Sequence, residues 1–234
     1  MKGLKELGKT ITAFDEGSEE YDSWYRSSKG STIFRSELLA LKSLLPKGRG
    51  MGIEIGVGTG VFASGLGVSF GLDPSMPCLR FARKRGVEVV CGIGEALPFK
   101  DGSFDFALYA VTLCFLSDPK AALREAHRVL KPRGKIVVCF IPSNSPWGEF
   151  YLRKKAAGHR FYMHANFYNL KEVDEMLRKA GFIPKAQACT LLQQPEAVMS
   201  VEKPSRERCE LAGFYCIRAE KFVMSRTSEK SNKD

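Results

Sequence analysis

The feature that most constrains this chain is the stretch 52–60, GIEIGVGTG, where a short apolar, β-branched run opens straight into Gly56, Gly58 and Gly60. A run such as 51–55 suits a strand buried on both faces of a parallel sheet. Alternating glycines behind it let the backbone turn sharply and let a ligand approach the main chain. The same spacing also serves a plain turn, so the loop alone does not decide the matter. A dinucleotide fingerprint would read G-x-G-x-x-G, and here the third glycine comes one residue early. Glu54 interrupts the apolar strand. A buried carboxylate needs hydrogen-bond partners, so Glu54 either faces a polar ligand or braces the loop.

A second short strand is expected at 68–72, and it ends in Asp73. An acidic residue at the carboxyl end of the neighbouring strand is where nucleoside-binding α/β sheets hold ribose hydroxyls. Asp73, followed by Pro74 and Ser75, could equally start a helix as its cap. Together with the glycine loop, the ribose reading is favoured.

Five segments then line up in order: GIEIGVGTG (52–60), GLDPS (71–75), GIGEALPF (92–99), DGSFDFAL (101–108) and REAHRVLKPRGK (124–135). This set resembles the class I S-adenosylmethionine-dependent methyltransferases, closest to the small-molecule branch that also holds the quinone-biosynthesis enzymes (type 11). The resemblance covers roughly residues 21–182. It implies an α/β, Rossmann-like fold: a seven-stranded, mostly parallel sheet with helices on both faces and an antiparallel last strand. It implies S-adenosyl-L-methionine as cofactor, with donor contacts at Glu54, Gly56, Gly58, Gly60, Asp73, Pro74, Ser75, Gly94, Glu95 and Ala110. Two positions depart from the family. Ile93 stands where an adenine-binding Asp is most common, leaving the Gly94 backbone and Glu95 for that task, although Glu95 could also be a solvated loop carboxylate. Phe115 stands where many relatives carry a histidine, which removes an obvious base.

Composition limits the alternatives. A chain of 234 residues with 44% hydrophobic and 26% charged residues fits one domain with a full α/β core. No apolar run approaches a membrane span and the amino terminus lacks the apolar centre of a signal peptide. The seven cysteines are odd in number and contain no C-x-x-C pair, so reduced thiols, a cytoplasmic location and no metal site are expected. The net charge of +10 is spread along the chain, which makes nucleic acid an unlikely partner.

The remaining segments concern the acceptor. The amino-terminal region 1–36 carries Phe14, Tyr21, Trp24 and Tyr25, and its YDSWY segment resembles the family's lid. A helix is expected over 37–45, a second over 75–85 ended by Gly86, and a strand over 104–111 whose end, with Thr112 and Phe115, lines a pocket. His127 reads as a packed or surface helix residue. A fifth strand is expected over 135–141. The irregular stretch 142–168 mixes aromatic and basic side chains, including Tyr151, His159, Tyr162 and His164, and reads as a cap over an aromatic or anionic small molecule. Strands at 186–192 and 213–219 close the sheet, and a tail at 225–234 is expected to be disordered. The acceptor pocket is thus assigned to Tyr21, Trp24, Thr112, Phe115 and Tyr162.

Methyl transfer from a sulfonium needs in-line orientation rather than a dedicated nucleophile, so no catalytic residue is named. The end of the fourth strand, YAVT at 109–112, lacks the N/D-P-P-Y/F motif common in base-amino methyltransferases. The leading expectation is a methyltransferase acting on a small molecule. An RNA or protein acceptor, or a non-catalytic cofactor-binding module, are the alternatives.

Overall fold

Apolar stripes at helical spacing, each preceded by a capping residue, account for most of the helices. A computed structural model of the chain describes residues 2–46, 48 and 50–222. In chain order the elements are α1 (Lys2–Trp24), α2 (Ser28–Leu44), β1 (Gly52–Ile55), α3 (Val61–Leu66), β2 (Phe70–Asp73), α4 (Met76–Lys84) and β3 (Glu88–Cys91). There follow β4 (Phe104–Ala110), α5 (Pro119–Val129), β5 (Leu130–Phe140), α6 (Pro146–Ala156), α7 (Leu170–Lys179), β6 (Phe182–Thr190) and β7 (Phe214–Lys221). Short 3-10 turns occupy Leu113–Phe115 and Tyr162–His164. The side chains of Ser27, Ser75, Asp118 and Ser145 accept the first free backbone N–H groups of α2, α4, α5 and α6. Asn169 and Glu172 close a reciprocal capping box on α7. Such caps are worth about 1 kcal/mol each.

The strands form one seven-stranded sheet in the order β3-β2-β1-β4-β5-β7-β6. β7 runs antiparallel to both of its neighbours, and the other pairings are parallel. Side chains alternate between two buried layers. Ile136, Val138, Tyr215 and Ile217 pack under α5 and α7, while Phe106, Leu108, Val137 and Phe214 pack under α2, α3 and α4. Strand order reverses between β2-β1 and β1-β4, so a crevice opens outside the carboxyl ends of β1 and β4.

The structure agrees with the expected fold class and revises several boundaries. The polar, aromatic-bearing amino terminus, for which no element was expected, contains the helix α1 over Lys2–Trp24. α2 begins at Ser28, not at residue 37, because Ser27 caps it and Ile33 extends the stripe of Leu41 and Leu44. β5 begins at Leu130 and β6 at Phe182, both earlier than expected, since each starts with an irregular pairing that alternation alone does not reveal. The expectation of fully reduced thiols is also corrected. Cys139 and Cys216 face each other across β5 and β7 and form a disulfide, leaving Cys78, Cys91, Cys114, Cys189 and Cys209 free. The tail at 225–234 lies outside the described residues.

α1 is anchored by charge as well as by rings. The Asp22 carboxylate, whose side chain is 1% exposed, pairs with Arg85 at 2.8 Å and with Arg26. Arg85 also donates to the Thr59 carbonyl at 2.9 Å, so one guanidinium joins α1, the end of α4 and the glycine loop. Asp22 is the buried partner, and the guanidiniums it pairs with are 26% and 63% exposed. Asp22→Ala is therefore expected to lower stability by about 1–2 kcal/mol in urea denaturation, the loss of charge-assisted hydrogen bonds without a buried charge left behind. A loss below about 0.5 kcal/mol would mean the pair is worth no more than a surface contact.

Candidate active site

The glycine loop owes its shape to two close approaches. Gly56 sits at φ 73°, and a Cβ there would meet Thr112 Cγ2 at 2.1 Å. Thr112 Oγ1 donates to the Gly56 and Ala110 carbonyls, each at 3.2 Å, which ties the loop to the end of β4. Gly60, at φ 79°, lies against Ala82 of α4, where a Cβ would come within 2.8 Å of the Ala82 Cα. Gly58, at φ 50°, is the open one; a Cβ there would meet only Tyr21, at 3.8 Å.

Asp73, at the carboxyl end of β2, joins this loop to α4. One of its oxygens accepts the Gly58 N–H at 2.9 Å and the other accepts the Ser75 N–H at 2.8 Å. Burial pushes its carboxyl up to about 6 against those two hydrogen bonds, with a smaller upward push from Asp15. Glu54 does not line the cleft, and its Oε2 is buried without a hydrogen-bond partner. It is 1% exposed and accepts the Ala63 backbone N–H, and burial drives its carboxyl well above the ordinary range.

Around this framework lies a cleft of about 720 Å³. Gly56, Gly58, Asp73, Pro74, Ser75, Gly94, Glu95, Ala110 and Thr112 line it, together with Ile93. α1 supplies a further wall of this cleft, which the sequence did not point to: Leu7, Thr10, Ile11 and Phe14. Glu95 is divided in its duties. Its Oε1 accepts from Ser117 N, Ser117 Oγ and Asp118 N, fixing the start of α5, while its Oε2 is buried without a hydrogen-bond partner.

A second cavity, open to solvent, adjoins the first. Tyr21, Val111 and Phe115 line both and so form the partition between them. Val111 holds the partition from the end of β4 at φ 55°, a conformation costly for a β-branched residue. Phe14 packs edge-on against Phe115 and Tyr21, at 5.1 and 5.3 Å, and stacks on Phe161 at 5.0 Å. The far walls of the second cavity come from Trp24, Tyr25 and Glu37 on one side and Tyr151, Lys154, His159 and Tyr162 on the other.

Most of the expected site residues therefore converge, and five belong elsewhere or border both cavities. Glu54 and Gly60 lie outside the cleft lining and serve the loop and the α3–α4 packing. Thr112 borders the first cavity rather than the second. Tyr21 and Phe115 border both. His164 lines neither cavity. Glu37 was missed, although a readable signal existed: it falls one turn from both Ile33 and Leu41, within the buried stripe of α2.

Comparison with known proteins identifies the family of the chain. The methyltransferase domain family matches residues 53–138. An uncharacterised protein of Methanocaldococcus jannaschii is 42% identical over 91% of this chain and 100% of its own length. A crystal structure from Thermotoga maritima, of an S-adenosylmethionine-dependent methyltransferase described as a possible histamine N-methyltransferase, superposes with a TM-score of 0.85. It is 39% identical and spans 91% of this chain and 100% of that one. The chain belongs to the class I S-adenosylmethionine-dependent methyltransferases, type 11. It is an enzyme of methyl transfer, with S-adenosylmethionine as its cofactor. A demethylmenaquinone methyltransferase of Corynebacterium kroppenstedtii is 36% identical over a shorter region, 54% of this chain and 57% of that protein. Among the described residues, no helix of this methyltransferase is long and apolar enough to cross a membrane.

The three glycines should differ sharply on substitution. Gly56→Ala adds a clash at 2.1 Å to left-handed backbone strain, and is expected to destabilise by more than about 2 kcal/mol. Gly58→Ala carries the strain alone and should cost about 1 kcal/mol. Urea denaturation of both variants tests this, and equal losses would contradict the packing described here.

Proposed function

We propose that the first cleft holds S-adenosylmethionine and the second cavity holds a small-molecule acceptor, with the partition of Tyr21, Val111 and Phe115 marking where methyl donor and acceptor meet. The observation that carries this reading is the sharing of those three residues by two adjoining cavities. The first cleft suits the cofactor in its polar groups. Each Asp73 oxygen keeps a lone pair beyond its backbone bond, which suits the two ribose hydroxyls. Glu95 Oε2 is an acceptor without a partner at the opposite end, suited to an amino donor such as that of adenine. Pro74, Ser75, Gly94 and Ala110 supply backbone and shape between them.

When bound, the cofactor supplies a sulfonium methyl group open to in-line displacement. The protein's share is orientation and exclusion of water. Holding two reactants in line is worth roughly 7–11 kcal/mol of barrier. The rings at the partition also present faces suited to a cationic centre, worth about 0.5–2 kcal/mol. We assign closure to residues 1–36 as a lid and 142–168 as a cap. α1 walls the first cleft, and both segments bring aromatic residues to the second cavity. Within these segments, Trp24, at 37% exposure, sits at the rim, and Tyr162 packs on Tyr151 at 4.5 Å.

The names of the two relatives differ in acceptor, possible histamine N-methyltransferase in one and demethylmenaquinone methyltransferase in the other, so they leave the acceptor to this chain's own cavity. Aromatic walls with few polar groups are the usual make-up of a small-molecule site.

Two measurements test the donor assignment. Calorimetry should find S-adenosylhomocysteine binding in the micromolar range or tighter, about −8 kcal/mol, with Asp73→Ala weaker by about 1.5–3 kcal/mol. Unchanged affinity with a lowered melting temperature would make Asp73 a structural tether only. The pH dependence has a definite sign. Asp73 holds its proton below about 6 in the free protein. A ligand that donates two hydrogen bonds to it favours the carboxylate. Affinity should therefore rise as pH increases through about 6 and level off above it. That slope should vanish in Asp73→Asn.

A further inference from the structure

The second cavity contains a buried carboxylate that methyl transfer, as argued above, does not use. Glu37 lies in the apolar stripe of α2 and is 6% exposed. It lines the cavity, and among the described residues it has no hydrogen-bond or ion-pair partner. The neighbouring phenols satisfy one another instead: Tyr21 and Tyr25 share a hydrogen bond of 2.9 Å, and Tyr151 pairs with Tyr162. The charge of Glu37 nonetheless reaches all four hydroxyls and helps hold them above their ordinary range. A carboxyl left unpartnered in an apolar interior is unfavourable unless a ligand completes it.

Resting on the reading of this cavity as the acceptor site, we propose that Glu37 is a specificity-determining residue that receives a basic nitrogen, so the acceptor is an amine-bearing small molecule with an aromatic or flat apolar body. Three features agree. The carboxylate lines the cavity together with Tyr21, Tyr25, Tyr151 and Tyr162, whose ring faces also favour a cation, though less strongly than a carboxylate does. The cationic residue of the cavity, Lys154, is turned to the rings of Phe150, Tyr151 and Tyr162 at 4.9, 5.9 and 5.7 Å rather than to Glu37. Burial alone pushes the Glu37 carboxyl up to about 8, and no protein cation offsets it. A ligand cation beside it would hold it as a carboxylate, which is the linkage expected of an amine site left open by the protein. The second carboxylate of the cavity, Glu20, stands at its outer wall near Arg160, 3.7 Å away, and is already engaged. His159 completes that wall.

The test uses three probes of one body and different charge: tyramine, 4-ethylphenol and 3-(4-hydroxyphenyl)propionate. Each is titrated calorimetrically into the full-length protein saturated with S-adenosylhomocysteine. Tyramine should bind at least about ten-fold more tightly than either of the others. Glu37→Gln, nearly isosteric, should abolish that preference while leaving S-adenosylhomocysteine affinity within about two-fold. The wild-type comparison stands whether or not the variant folds. Equal binding of the three probes, tighter binding of the propionate, no binding of any, or an unchanged preference in Glu37→Gln would each overturn the assignment of Glu37. Failure of S-adenosylhomocysteine to bind the wild type would instead remove the underlying reading of the two cavities.

Discussion

The double hydrogen bond to Asp73 is the interaction on which the site depends. One carboxylate, at the end of a four-residue strand, accepts from Gly58 in the glycine loop and from Ser75 at the start of α4. It thereby fixes the separation of two loops that come from different strands. The same loop is held from the other side by Thr112, which fits only because Gly56 has no Cβ. The raised carboxyl of Asp73 follows from the same geometry, since two backbone N–H groups only partly offset the loss of water.

A second layer of order is aromatic. α1 carries Phe14, Tyr21 and Trp24 to the mouth of the sheet, and the loop around Phe161 meets them there. Gly17 makes the approach possible, because a Cβ on it would come within 2.7 Å of the Phe161 ring. Charge adds little at the surface, where Arg160 reaches Glu16 and Glu20 at 3.5 and 3.7 Å among exposed side chains. It adds more below, where Asp22 and Arg85 connect α1 to the glycine loop. The position of α1 and the shape of the glycine loop are therefore mechanically linked through Arg85.

Much of this was legible in the residues. The glycine loop, Asp73, and the strand, turn and helix succession are local features, and they specify a doubly wound sheet with its crevice at β1 and β4. What was not legible is long-range. Gly60 looks like Gly56 and Gly58 in the sequence, yet Ala82, far along the chain, decides that it is a packing position. Glu54 and Glu37 are both buried acids on apolar surfaces. One finds a backbone donor in α3 and the other finds none, and only the fold separates them. The pairing of Cys139 with Cys216 likewise depends on the register of β5 against β7, which spacing does not encode.

The central claim is that donor and acceptor lie on opposite sides of a partition made by Tyr21, Val111 and Phe115. A crystal structure of the protein with S-adenosylhomocysteine tests it most directly. The account predicts adenosine between Asp73 and Glu95, with the sulfur at the partition and facing the cavity of Glu37, Tyr151 and Tyr162. A ligand seated in that second cavity, or one whose sulfur is turned away from the partition, would contradict it.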